Sequence, residues 1–345
     1  MVKSKPILVL SIMTALAGCG GSGTGGSPAA VTPPPTPTPT PTPVPAPTNT
    51  TLTNLVASQV FSVASASTLA RFGGALVTPP VGQFQPYNAG PLTFTYEQPV
   101  GSYHLNISAN PPRFGPTAAV TTSNFQTFGA VDGVGSRLIL FRPGSTNTTS
   151  ALSFVSYGLF RSNETVSSSA ADLTYRNYIY GLPTAAADVP RTGTATYTTT
   201  TDGVWIKTNE DFNAQISGLQ EIRITGVSTT TVNFAANTLT FTLTITGPDT
   251  RTGRTLTIAS LAGTGTIAAS GVITGNVTGG TYSYTFVETA NPVSIERRVT
   301  YGFGGPFSGA FFGPSGAELG LAFQLAPDAA PNRAASVSGA IVGKR

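Results

Sequence analysis

Apolar and polar positions alternate with a period of two through much of this chain. The clearest run is Leu239-Thr240-Phe241-Thr242-Leu243-Thr244-Ile245. It puts four apolar side chains on one face and threonines on the other, the pattern of a half-buried β-strand. Earlier runs at residues 92–96, 137–141, 152–160 and 173–180 have the same character, with Gly, Pro and Asn clusters between them. In one stretch, residues 56–72, a short helix competes with strand. The stretch 308–323 holds the rest together. Phe307, Phe311 and Phe312 form an aromatic segment, Gly313, Pro314 and Gly316 a turn, and Leu319, Leu321 and Phe323 alternate with small residues. This predicts a hairpin whose small residues suit the inner wall of a tightly curved sheet.

From Arg191 onward the predicted strands follow at short intervals: 193–200, 222–225, 228–234, 238–246, 255–261, 271–277, 281–288, 294–301, the hairpin around Gly313 and a last strand over 337–342. Closing such a sheet removes its unpaired edges, and a barrel of about eight strands is filled by side chains or holds one small ligand. The pair 281–288 and 294–301 exceeds that number and reads as an inserted hairpin. Residues 182–190, Leu-Pro-Thr-Ala-Ala-Ala-Asp-Val-Pro, form a connector that divides a β-rich unit at 51–188 from the barrel at 189–345. The fold class expected is therefore all-β: an antiparallel sheet domain followed by a C-terminal barrel.

The N-terminus has a different texture. Lys3 and Lys5 precede an apolar run from Ile7 to Ala15, too short for a permanent transmembrane helix, and Leu16-Ala17-Gly18-Cys19 follows. This end resembles the lipobox of bacterial lipoproteins. The resemblance implies a cleaved signal at 1–18 and a diacylglycerol thioether on Cys19, with several acyl chains contributing about 0.8 kcal/mol per buried methylene. Gly20 stands where an aspartate would imply retention in the inner membrane, so the outer membrane is the expected address. Residues 19–50 are a linker, Gly/Ser-rich and then Thr-Pro-rich. A 16-residue polyproline-like stretch reaches roughly 50 Å, enough to serve as a stalk.

The closing hairpin, with its Phe-Gly-Pro turn and Glu318 on a glycine-spaced strand, resembles that of the barrel in transferrin-binding-protein-B-like lipoproteins. The likeness extends to residues 191–197, 231–239 and the final strand 337–342. It implies that the β-rich unit before the barrel is an antiparallel handle domain. It also implies a protein or solute ligand, such as an iron- or haem-carrying protein, and cooperation with an outer-membrane transporter. Characterised transferrin binders of the family have two lobes, whereas this chain has room for one handle and one barrel.

Composition narrows the chemistry. Apolar residues make up 40% and charged residues only 9%, which suits an extracellular β protein with packed cores. Without Lys3 and Lys5 the 18 basic residues fall to 16 against 14 acids, a net +2, and no Lys/Arg stripe exists to hold nucleic acid. Cys19 is the single cysteine and His104 the single histidine. Internal disulfides, cysteine nucleophiles and multi-histidine metal sites are therefore excluded, and His104 reads as structural. No Gly-x-Ser-x-Gly elbow occurs, and Glu210, Asp211 and Glu318 suggest no catalytic pair. Neither an enzyme nor a cofactor is expected. Trp205, after the turn-like pair Asp202-Gly203, reads as core or rim packing. Arg251 and Arg254 lie on a predicted hairpin tip and Arg297 and Arg298 near the inserted hairpin, where the planar guanidinium suits an interface with carboxylates. A binding module is the first reading; a structural outer-membrane lipoprotein without a high-affinity ligand is the alternative.

Overall fold

The computed structural model describes residues 48–73, 80–107, 111–131, 135–167, 170–208, 219–249, 253–290, 293–328 and 335–345. Cys19, most of the linker, Glu210, Asp211 and Arg251 lie outside the described residues. Eleven strands come first: β1 (Gln59–Ser62), β2 (Ala64–Gly73), β3 (Val81–Gln85), β4 (Thr93–Glu97), β5 (Ser102–Asn106), β6 (Arg113–Phe114), β7 (Val120–Thr121), β8 (Phe125–Gly129), β9 (Arg137–Phe141), β10 (Val155–Ser167) and β11 (Ala170–Gly181). Eight more follow: β12 (Thr194–Thr208), β13 (Leu219–Asn233), β14 (Thr238–Pro248), β15 (Thr255–Ile267), β16 (Val272–Ala290), β17 (Val293–Phe312), β18 (Glu318–Pro327) and β19 (Ala335–Lys344).

The first eleven strands build two handle-like antiparallel sheets, ordered β1-β4-β5-β6 and β3-β2-β11-β10-β9-β8-β7. Rings between and around them form one aromatic core: Phe94 packs at 4.6 Å from Tyr180 and 5.5 Å from Tyr103, and Phe61 at 5.4 Å from Tyr180. Residues 59–62 and 64–73 are strand, which settles the competition at 56–72. The helical alternative loses because β2 pairs with β11 over ten residues while burying Ala64, Ala66 and Ala70.

The last eight strands close into a barrel, β12 through β19, with β19 returning to β12. In β14 the alternation seen in the sequence becomes alternation of burial, with Leu239, Phe241, Leu243 and Ile245 inside and the threonines at 238, 240, 242 and 244 in solvent. Large side chains fill the interior, among them Trp205, Phe241, Phe303, Phe307 and Phe311. An eight-stranded barrel is narrow enough for side chains alone to fill it.

Four local expectations need correction. Residues 222–225 and 228–234 are one strand, β13, and the supposed inserted hairpin is the outer half of β16 and β17. A bulge between Val277 and Gly280 shifts the register in the middle of β16, which is why the alternation looked interrupted. Asp202 and Gly203 are not a turn but the middle of β12. A side chain on Gly203 would collide with the Ser338 carbonyl of the neighbouring strand. The small residues of the closing hairpin lie on the outside of the barrel. Leu319, Leu321, Phe323 and Leu325 point inward, whereas Gly320 and Ala322 face the handle.

That outer face explains why β18 is buried along eight consecutive positions: one face lines the barrel and the other lies under the second handle sheet. At Gly320 a Cβ would stand 2.7 Å from a Val155 methyl of the handle. Ile179, Val155 and Phe141 pack with Ala310, Ala322, Ala340 and Val342, while Leu159, Leu173 and Tyr175 cover Val204 and Ile206. Polar pins fix the fit. Glu318 accepts hydrogen bonds from the backbone N–H groups of Ser153, Phe154 and Val155 at 2.7, 2.7 and 2.8 Å, and the Asn177 amide donates to the Ser338 carbonyl and hydroxyl at 3.0 and 2.9 Å. Residues 47–345 accordingly form one compact unit.

Candidate functional site

Antiparallel order sends alternate connections of the barrel to opposite ends, and the two ends differ. At one end the turns are tight. Asn237 takes φ 54° between β13 and β14, Gly271 φ 84° between β15 and β16, and Gly313, Ser315 and Gly316 φ 72°, 52° and 69° between β17 and β18. Asn233 accepts the Ala236 N–H at 3.0 Å to close the first of these turns. At the other end the connections run from Thr208 to Leu219, from Pro248 to Thr255 and from Pro327 to Ala335.

The fourth connection at the long-loop end is a ribbon. Neighbours on either side stop pairing at Ala259↔Thr281 and Phe303↔Pro327. From Tyr282↔Tyr301 to Ala290↔Val293, β16 and β17 pair only with each other. At about 3.3 Å per residue this ribbon extends roughly 30 Å past the last paired neighbour.

The arginines singled out in the sequence fall at this end. Arg254 is exposed, and its carbonyl accepts the Asp249 N–H at 2.8 Å where the β14–β15 hairpin closes. Arg297 and Arg298 lie on the ribbon, opposite Phe286 and Thr285 in the register. Arg251 belongs to the same connection as Arg254 but lies outside the described residues. His104 is elsewhere, in β5 of the handle. It is buried, 3.0 Å from the Glu97 carboxylate and 3.5 Å from the Ser102 hydroxyl. Among the described residues no three His, Cys, Asp or Glu side chains converge as a metal site.

Beneath the long loops the barrel is stoppered. Trp205 is 1% exposed, with Tyr282 edge-on at 4.8 Å and Phe303 at 5.9 Å. The Lys207 ammonium is buried too, 5.8 Å from the Trp205 ring and 5.6 Å from that of Tyr282. Quadrupolar ring faces offset part of the cost of holding a cation there. Gln220 donates to the Asp249 carboxylate, and both are buried. Trp205 is thus a core residue, as its sequence context suggested. Lys207, Gln220 and Asp249 were not anticipated. The available signal was that Lys207 lies two residues beyond Trp205 and so shares its face of the strand.

The chain enters this unit at the opposite end. Leu52 donates to the Ser153 carbonyl at 2.8 Å, and Ser153 in turn donates to Glu318, the first residue after the β17–β18 turn. Entry and long loops therefore lie at opposite ends of the barrel.

Paired handle-like sheets pinned to a filled eight-stranded barrel define the class of fold: an all-β sheet-and-barrel unit. Residues 189–345 match the family model for the C-lobe and N-lobe beta barrels of Tf-binding protein B. No curated protein matches the sequence. Solved structures that resemble it include a mutant transferrin-binding protein B from Haemophilus parasuis Hp5, at 15% identity and a TM-score of 0.36 over 81% of this chain and 44% of that one. Isotype 1 transferrin-binding protein B from serogroup B Neisseria meningitidis is similar at 16% identity and a TM-score of 0.39, over 81% and 43%. The N-lobe domain of lactoferrin-binding protein B from Moraxella bovis is similar at 13% identity and a TM-score of 0.31, over 81% and 98%. The chain spans less than half the length of the first two.

Proposed function

We propose that this protein is a surface-exposed outer-membrane lipoprotein, anchored through Cys19, that captures a protein ligand with the long-loop end of its barrel. One observation carries the reading: tight turns and chain entry at one end, long connections and a free-standing ribbon at the other. A body tethered at its entry end directs the opposite end outward. Loops held on a rigid scaffold are where recognition residues are best placed.

Residues 51–188 act as the handle and 189–345 as the barrel, with Arg251, Arg254, Arg297 and Arg298 as partner-binding residues. An iron- or haem-carrying protein, handed on to an outer-membrane transporter, is the partner class that the match of the barrel segment to the Tf-binding protein B barrel model supports. The similar solved structures are named for transferrin and lactoferrin, and the capture experiment below identifies the ligand of this chain. The stoppered barrel argues for recognition at the rim and not inside.

The test has three parts. Protease treatment of intact cells removes a surface-displayed protein and spares one facing the periplasm. Cys19→Ser shifts the protein from the membrane fraction to the soluble fraction; retention of that variant defeats the anchor. Affinity capture from the native host, followed by mass spectrometry, recovers a saturable protein partner, and replacing the four arginines by Ala lowers its recovery about tenfold or more while the melting temperature holds. Capture unchanged by those substitutions removes the arginines from the site. No saturable partner at all favours a purely structural lipoprotein.

A further inference from the structure

A recess lies between the two handle sheets at the chain-entry end. It is a cleft of about 420 Å³, within the range of small-molecule sites. Leu52 and Leu140 are buried in its apolar part, and the rings of Tyr103 and Tyr180 form an aromatic wall. Arg142 is the one charged residue that lines it.

Its mouth is held in place before any ligand arrives. The Arg142 backbone N–H donates to the Asn124 carbonyl at 2.8 Å, and the guanidinium donates to the Thr122 carbonyl at 2.8 Å. The buried Asn147 braces the following loop: its amide donates to the Arg142 carbonyl at 2.7 Å, and its oxygen accepts the N–H groups of Thr149 and Ser150 at 2.9 and 3.1 Å. Gly144 donates to the Leu152 carbonyl at 2.6 Å. A preorganised loop lowers the entropy that binding must overcome.

We propose that this cleft binds a small amphipathic carboxylate, its apolar body between the leucines and tyrosines and its charged end at Arg142. Charge complementarity selects the class. Among the described residues no acid pairs with Arg142, and the guanidinium fork has nitrogens left for a carboxylate after its single bond to a carbonyl. The Tyr103 phenol is a neutral donor at neutral pH in any case, and burial pushes its pKa further up, to about 12. A cation as ligand is disfavoured by Arg142 itself, and a fully apolar ligand would bury the guanidinium edge without a partner.

The experiment uses the full-length chain carrying Cys19→Ser, so that no acyl chain or detergent competes. 4-Phenylbutyrate and its uncharged amide are titrated by calorimetry and by saturation-transfer NMR. The acid binds saturably at one site and the amide about tenfold more weakly. Arg142→Gln removes that preference, and Ser145→Trp, on the exposed rim, blocks both ligands with the melting temperature held. Absence of saturable binding, equal binding of acid and amide, or binding that survives both substitutions overturns the proposal.

Discussion

Glu318 is the residue on which the handle–barrel junction turns. Its carboxylate accepts three consecutive backbone N–H groups of the handle while itself 4% exposed. Removing it leaves three donors without partners in a buried place, each costing about 1 kcal/mol or more. Glu318→Ala is expected to destabilise the protein by about 3 kcal/mol in urea unfolding; a loss under about 1 kcal/mol would show that water replaces the carboxylate. Asp202 makes the opposite contribution. Burial raises its carboxyl to about 6 despite the Arg223 guanidinium beside it. A folded pKa above the unfolded value near 3.8 means that the contribution of Asp202 to stability is full below pH 3.8, is lost as pH rises through 6 and is constant above that. Wild type should lose about 2 kcal/mol relative to Asp202→Asn between pH 4 and pH 8. A difference between the two proteins that does not change with pH would refute this. Neither residue announced its role in the sequence. Glu318 was legible as part of the closing hairpin, but its three partners are about 160 residues away, and Asp202 looked like half of a turn.

The elements were more legible than the residues. Strand alternation depends on neighbours two apart, so β14 could be read directly, and so could the aromatic turn that closes β17 onto β18. What misled was length. β16 and β17 run to 19 and 20 residues, and a bulge breaks their periodicity, so each looked like two strands. Their outer halves make no strand pairing outside the ribbon, which carries its own prediction. Replacing residues 284–299 by a short Asn-Gly turn should leave the far-ultraviolet circular dichroism β-rich and the melting temperature within a few degrees of wild type. The same deletion should abolish partner capture. A variant that unfolds would place the ribbon in the structural core, and one that still captures the partner would exclude it from the interface.

At the scale of the whole molecule, handle and barrel share their cores. β18 and β19 are buried on both faces, and Val204, Ile206, Phe312 and Ala322 are apolar because a sheet from another part of the chain covers them. Cutting the barrel free at residue 189 would expose that wall, a patch of the kind that drives association. Calorimetry of the intact protein should therefore give one cooperative transition, with calorimetric and van't Hoff enthalpies in agreement. Two separated transitions would show that the interface is weaker than its burial implies.

Sequence by itself determined the class of structure: alternating residues, turn clusters and a glycine-spaced closing hairpin specify antiparallel strands and a barrel, since these signals act between neighbours a few positions apart. It also confined the chemistry, because a chain with one histidine and one cysteine can supply few reactive groups. Only the tertiary structure decided which face of each strand was doubly buried, which acids became pins or burdens, and that the long connections share the end opposite chain entry. Those outcomes depend on segments more than a hundred residues apart meeting in space, and local alternation carries no information about who the distant partner is.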